Sequence, residues 1–212
     1  MSNEKPSTSN ETIKKKSDAL LAKINGIITK DHNEIGRYES RFNRAIDQAL
    51  LDISMLKPGR KLFKRLLKSP FPITIRMTEF DRQMSIAYVS NFDWKTCKMN
   101  TERAFINLPI DYLDNETFCM QDGYPAVLGL VHELIHVMHY IAGDSGWEMR
   151  IRSSMKSNLL SPEFDDLEEQ LTICGIGEKR DTIDLCENAF ARAFGYNFRE
   201  HHHGHPKKIE TA

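Results

Sequence analysis

The sequence predicts an α+β fold, because its hydrophobic period changes twice along the chain. Apolar residues recur at helical spacing up to about residue 67, alternate with polar ones between about 71 and 109, and return to helical spacing after Pro125. There is no internal repeat, and 212 residues with 40% hydrophobic and 28% charged side chains suffice for one sizeable core. A single domain over residues 13–203 is expected, flanked by tails at 1–12 and 204–212.

Residues 1–12 are mostly Ser, Thr, Asn, Glu, Lys and Pro, with almost nothing to bury, so ordering entropy goes unopposed and disorder is expected. Beyond them "DALLAKINGIITK" and "YESRFNRAIDQALLDISML" read as helices, the second with Phe42, Ala45, Ile46, Ala49, Leu50 and Ile53 on one face. "KPGRK" breaks that pattern, and "LFKRLL" forms a short third helix. The period then becomes two: "FPITIRM", "QMSIAYVS" and "RAFINLP" are the strands of a small sheet. A helix from Pro125 to Ile141 follows, stopped at "AGDSG", where Gly143 and Gly146 supply backbone freedom. Helices over about 164–174 and 182–195 complete the reading.

With 29 basic against 30 acidic side chains, no whole-chain field draws the protein to nucleic acid or anionic membrane. Any partner is read by a local site, and a monomer is expected. Cys97, Cys119, Cys174 and Cys186 have no CxxC or zinc-ribbon spacing and read as reduced packing thiols. The amino terminus lacks the apolar core of a secretory signal, and no run of about 18 apolar residues could span a bilayer. A soluble protein that does not use the general signal-peptide route is expected.

The chemistry-bearing stretch is "VHELIHVMHY", residues 131–140. On a helix His132 and His136 lie one turn apart and about 40° around the axis, so both imidazoles can reach one ion. Glu133 flanks that stripe. Two neutral imidazoles that hold zinc, beside a carboxylate too poorly placed to bind it but able to take a proton from water, are the parts of metal-assisted hydrolysis. Val127, Leu130, Val131, Leu134, Val137, Met138 and Ile141 cover the opposite side, so the polar residues converge on one face of a buried helix. Burying two histidines and a glutamate without partners is costly, and a metal removes that cost. His139 continues the stripe but sits roughly 10 Å along the axis from His132, too far to share an ion, and reads as a hydrogen-bonded or packing histidine.

A catalytic zinc needs a third protein ligand and an open position. The metzincin spacing, glycine seven and histidine ten residues after the first ligand, is absent: those positions are His139 and Ala142. A downstream carboxylate is left, and "SPEFDDLEEQLTICG" offers Glu163, Asp165, Asp166, Glu168 and Glu169. Periodicity does not choose among them. It puts Phe164, Leu167, Leu171 and Cys174 on the apolar stripe and Asp165, Asp166 and Glu169 on an opposite, solvated face.

"HELIH", then "EEQLTICG" about thirty residues on, then "ENAFARAFGYNFREHH", resembles the NleD-type family of bacterial type III effector zinc metallopeptidases over about residues 38–203. That family runs HExxH, an EExxT-like element and a close of the form EN…GxxxR(x)2Y. The layout is also similar to the catalytic domain of the far longer clostridial neurotoxins. The resemblance implies that Glu169 is the third zinc ligand and that Glu168 orients the site. It implies that Arg199 stabilises the oxyanion, a role for which a fixed guanidinium is suited. The family tyrosine three residues later is His202 here, a departure: either His202, Tyr196 or His203 supplies that donor, or the enzyme is slower. Read by itself, the "HHHGH" run is a solvated tail, His201, His203 and His205 included.

The expected protein is thus a compact, gluzincin-like zincin with Zn2+ as cofactor, His132, His136 and Glu169 as ligands, and Glu133 as general base and later proton donor. The resemblance further implies type III secretion into the host cytosol and cleavage of a host signalling protein, a kinase of the mitogen-activated class. Two alternatives stay open: a protease with another host target, and an effector binding module whose zinc is structural.

Overall fold

The structure, a computed structural model, describes residues 8–31, 39–70, 72–78, 88–90, 92–93, 98–99, 104–109, 125–141, 167–175 and 185–200. Helix α1 (Thr8–Ile24) begins inside the stretch expected to be disordered. Glu11 in its first turn complements the helix dipole and pairs with Lys15 one turn on, at 3.2 Å. The helix does not run through "NGIITK" as expected. It ends at Ile24, and after a turn the β-branched Ile28 and Thr29 enter strand β1 (Ile28–Asp31). Period alone does not separate a short apolar run from a helix that continues.

Helix α2 (Glu39–Met55) buries Phe42, Ile46, Ala49, Leu50 and Ile53, the face its spacing predicts. "KPGRK" is not the break it reads as. It opens helix α3 (Lys57–Leu66), with Pro58 in the first turn, where a missing N–H costs nothing, and only Leu56 extended between the helices. Gly59 permits the close approach: a Cβ there would lie 1.7 Å from the Ile53 carbonyl oxygen. Arg60 donates to the carbonyls of Ser54 (3.2 Å) and Met55 (2.6 Å), and Ser17 of α1 donates to Ser54 as well (2.9 Å). The end of α2 is thereby satisfied from both sides.

Strands β2 (Ile73–Thr78), β3 (Tyr88–Ser90) and β6 (Ala104–Pro109) join β1 in a sheet of order β1-β2-β6-β3; β4 (Phe92–Asp93) and β5 (Lys98–Met99) form a separate antiparallel pair. Ile28, Ile73 and Ala104 are in register across the three parallel strands, and β3 runs antiparallel at the edge. Ala104 through Leu108 are all buried, as expected of an inner strand covered on both faces. Of the expected strand "QMSIAYVS", Tyr88–Ser90 fall within the described residues.

Helix α4 (Ala126–Ile141) packs on α2, α3, β3, β6 and two short helices, α5 (Leu167–Cys174) and α6 (Glu187–Ala193). The described residues thus form a mixed α+β fold with six helices and a small, mainly parallel sheet. Among them no helix is long and apolar enough to cross a membrane. Cys174 and Cys186 are in the thiol form, without a disulfide; Cys97, Cys119, Gly143 and Gly146 lie outside the described residues.

Candidate metal centre

Leu130, Val131, Leu134, Ile135, Val137 and Met138 are buried, and each such side chain contributes roughly 1.5–3 kcal/mol to holding α4 in place. That packing fixes the direction in which His132 and His136 point. Their Nε2 atoms face each other at 3.0 Å. The Nδ1–H of His132 donates to Glu187 Oε2 (2.9 Å) and that of His136 to Glu168 Oε1 (3.2 Å). Because an ionised carboxylate only accepts, these contacts place the ring protons on Nδ1 and turn both Nε2 lone pairs inward.

Helix α5 closes the third side, and its orientation corrects the sequence reading. Leu167, expected on the buried stripe, is 41% exposed, whereas Glu168 is 1% exposed beside Leu171, Thr172 and Ile173. Specific partners reverse the ordinary ranking of leucine and glutamate. Glu168 Oε1 accepts from His136, from His139 Nδ1 (2.6 Å) and from the Thr172 hydroxyl (3.4 Å). Glu169, expected on a solvated face, instead lies with one oxygen 3.1 Å from His132 Nε2 and the other 3.3 Å from His136 Nε2. His132, His136 and Glu169 form a group that can hold a metal ion. Glu163, Asp165 and Asp166 lie outside the described residues.

The fourth side comes from α6 and the chain after it. Helix α6 ends in a Schellman turn: the Tyr196 N–H bonds to the Ala191 carbonyl (2.8 Å), the Gly195 N–H to that of Arg192 (3.1 Å), and Gly195 takes φ 81°. The turn sends the chain back along the helix. Asn188 then holds Arg199 by its backbone, donating to its carbonyl (2.9 Å) and accepting from its N–H (2.7 Å). Arg199 is buried, and its Nη1 donates to the same Glu187 oxygen that His132 contacts, at 2.9 Å. Glu187, fully buried at the first turn of α6, bridges the imidazole and the guanidinium.

Burial opposes charge on His132, but the Glu169 carboxylate and hydrogen bonds to Glu169 and Glu187 outweigh it and raise the imidazole to about 9. His136 is likewise raised: Glu169, with Glu168 adding hydrogen bonding, overcomes its burial. Glu168 and Glu169 are held well below the usual carboxylate range, burial being outweighed by the two imidazoles beside each, His136 and His139 for Glu168 and His136 and His132 for Glu169. These directions have one cause. Inward lone pairs and a carboxylate at about 3 Å need a cation among them, a proton if not a metal. Glu133 differs: burial raises it to about 7, and its Oε1 stands 4.0 Å from His132 Nε2.

The structure therefore brings together His132, Glu133, His136, Glu168, Glu169 and Arg199, with His139 as a hydrogen-bonded neighbour of Glu168. Arg199 is reached through Glu187, to which the sequence reading gave no role, as it gave none to Thr172 or Asn188. The signal for Glu187 and Asn188 was present: "EN" opens the last motif of the resemblance. Tyr196 packs partly against the core, and His201, His202, His203 and His205 lie outside the described residues. Compared with protein families, with curated proteins and with solved structures, the chain finds no match in any of the three.

Proposed function

We propose that the chain is a zinc-dependent metalloendopeptidase of the gluzincin type, a type III secreted effector that acts in a host cytosol on a signalling protein. The observation that carries the reading is the grouping of His132 Nε2 and His136 Nε2, 3.0 Å apart, with one Glu169 oxygen 3.1 Å from the first and the other 3.3 Å from the second, beside a buried glutamate. Ligand atoms about 2.0–2.1 Å from a tetrahedral zinc stand roughly 3.3 Å apart, and donor separations of 3.0–3.3 Å are close to that spacing. Two imidazoles and one carboxylate also leave a position open, as catalytic zinc requires. Bound there, zinc would act as a Lewis acid and lower the pKa of water to about 7.

The chain's own groups do the rest. Glu133, buried beside the two histidines, accepts a proton from the attacking water and returns it to the leaving amine nitrogen. Glu187 and Glu168 fix the tautomers of His132 and His136 and increase their basicity. Arg199, tied to Glu187 and clamped by Asn188, brings a positive charge that stabilises the developing oxyanion, with His202 as a second donor. The zincin-type arrangement and the mitogen-activated kinases as substrate class rest on the resemblance to NleD-type effectors. The zinc-loaded chain, incubated with purified kinases of that class, is expected to cut at a discrete site. The expected loss of cleavage in Glu133→Gln, with zinc and fold retained, separates catalysis from binding; an uncut panel beside another cleaved host protein would move the reading to that target.

A further inference from the structure

Helix α3 lies against α4 and α6. Its sequence and the turn after it, from Leu56 to Pro70, contain Lys57, Arg60, Lys61, Lys64, Arg65 and Lys68 and no carboxylate. Lys57, Lys61 and Lys64 are exposed and fall within about 60° of the helix circumference, and the exposed Lys68 extends the row to roughly 16 Å. The stripe ends at a cavity of about 440 Å3. Among the described residues, Lys57, Lys61 and Arg192 give it a cationic side and Pro58, Ala189 and Phe198 an apolar one. Phe198 is 55% exposed, and the Arg192 guanidinium stands 6.0 Å from its ring centroid.

We propose that the lysine stripe and this cavity form an exosite for an acidic segment of the protein substrate, with an apolar residue of that segment seated against Phe198. The inference rests on the peptidase reading for the identity of the partner, while the binding itself does not. Charge complementarity selects an anionic partner, and the concave, half-apolar end selects a peptide side chain over a flat bilayer. The segment's position is also informative. Phe198 and Asn188 line the cavity next to Arg199 and Glu187, so an occupant would border the groups that brace His132.

The test uses the full-length chain carrying Glu133→Gln, so that binding is read without cleavage. The probe is a fluorescein-labelled peptide of glutamates around a central phenylalanine, followed by anisotropy. Binding is expected to weaken about tenfold with added salt and about tenfold in Lys61→Glu/Lys64→Glu, while Lys61→Arg/Lys64→Arg binds as the parent does. Equal binding by the charge-reversed variant would overturn the proposal. So would a lysine-dependent preference for phosphatidylcholine vesicles containing about 30% phosphatidylserine over the peptide. With Glu133 restored, charge reversal should raise KM for the cleaved host protein and leave kcat unchanged. If no protein is cleaved, the peptidase reading falls and the binding result still decides the exosite.

Discussion

Helix α4 runs for 16 residues and is buried on nearly every side, whereas α5 and α6 have 8 and 7 residues and bury Glu168 and Glu187 among a few apolar neighbours. The first is placed by packing; the other two add to the packing of Leu171, Ile173 and Phe190 the hydrogen bonds of Glu168 and Glu187 to the imidazoles that α4 presents. The two kinds of support respond differently to perturbation. Removing a charge or a cation from the site leaves the packing of α4 intact and withdraws the contacts that dock α5, α6 and the returning segment to Arg199.

The largest expected effect is on the metal. Glu169→Ala removes a proposed ligand and should abolish stoichiometric zinc by elemental analysis, whereas Glu168→Ala should weaken zinc only about 10–100-fold, because Glu168 contacts His136. The reverse ranking would exchange their roles. Next comes Glu187→Ala, which leaves Arg199 buried without its carboxylate and His132 without its Nδ1 acceptor. A loss of about 3–5 kcal/mol in denaturant unfolding is expected, with hydrogen exchange accelerated in α5 and α6 more than in α4. Uniform acceleration across all three helices would remove the contrast between them.

Metal-free protein should show a smaller, pH-dependent effect. His132 titrates at about 9 when folded against an ordinary 6.5, so the stability its proton contributes is present below 6.5 and lost as pH rises through 9. Glu133, raised from 4.5 to about 7, adds a decline over that range. Glu168 and Glu169, held below 4.5, contribute stability above 4.5 that acid removes. Melting temperature without metal should therefore fall between pH 4.5 and 9, and saturating zinc should flatten the alkaline part by taking the proton's place. A metal-free protein that becomes more stable toward pH 9 would contradict this assignment. Smallest is Gly195→Ala: with φ 81° and no neighbour near a new Cβ, only backbone strain acts, at about 1–2 kcal/mol in thermal unfolding.

The same contrast decides what could be read from the sequence. The convergence of His132 and His136 and the apolar backing of α4 follow from spacing, because a long helix with one polar face has one way to lie. Helix α5 does not: its apolar stripe through Leu167 and Cys174 is outweighed by contacts that exist only once α4 is in place, and Glu169 came from the resemblance alone. Strand β1 was hidden because "NGIITK" continues an apolar run, and its parallel pairing with β2 involves residues 45 positions away. "KPGRK" misled because proline and glycine open a helix as readily as they end one.

The central claim is that this centre hydrolyses peptide bonds, with Glu133 as its base. Mapping of new amino termini by mass spectrometry, in host-cell extract treated with zinc-loaded wild type or with zinc-loaded Glu133→Gln, tests it most directly. The account predicts a small set of discrete new termini with the wild type and their disappearance in the variant. Identical termini from both proteins, or none from either while each carries one zinc per chain, would contradict it.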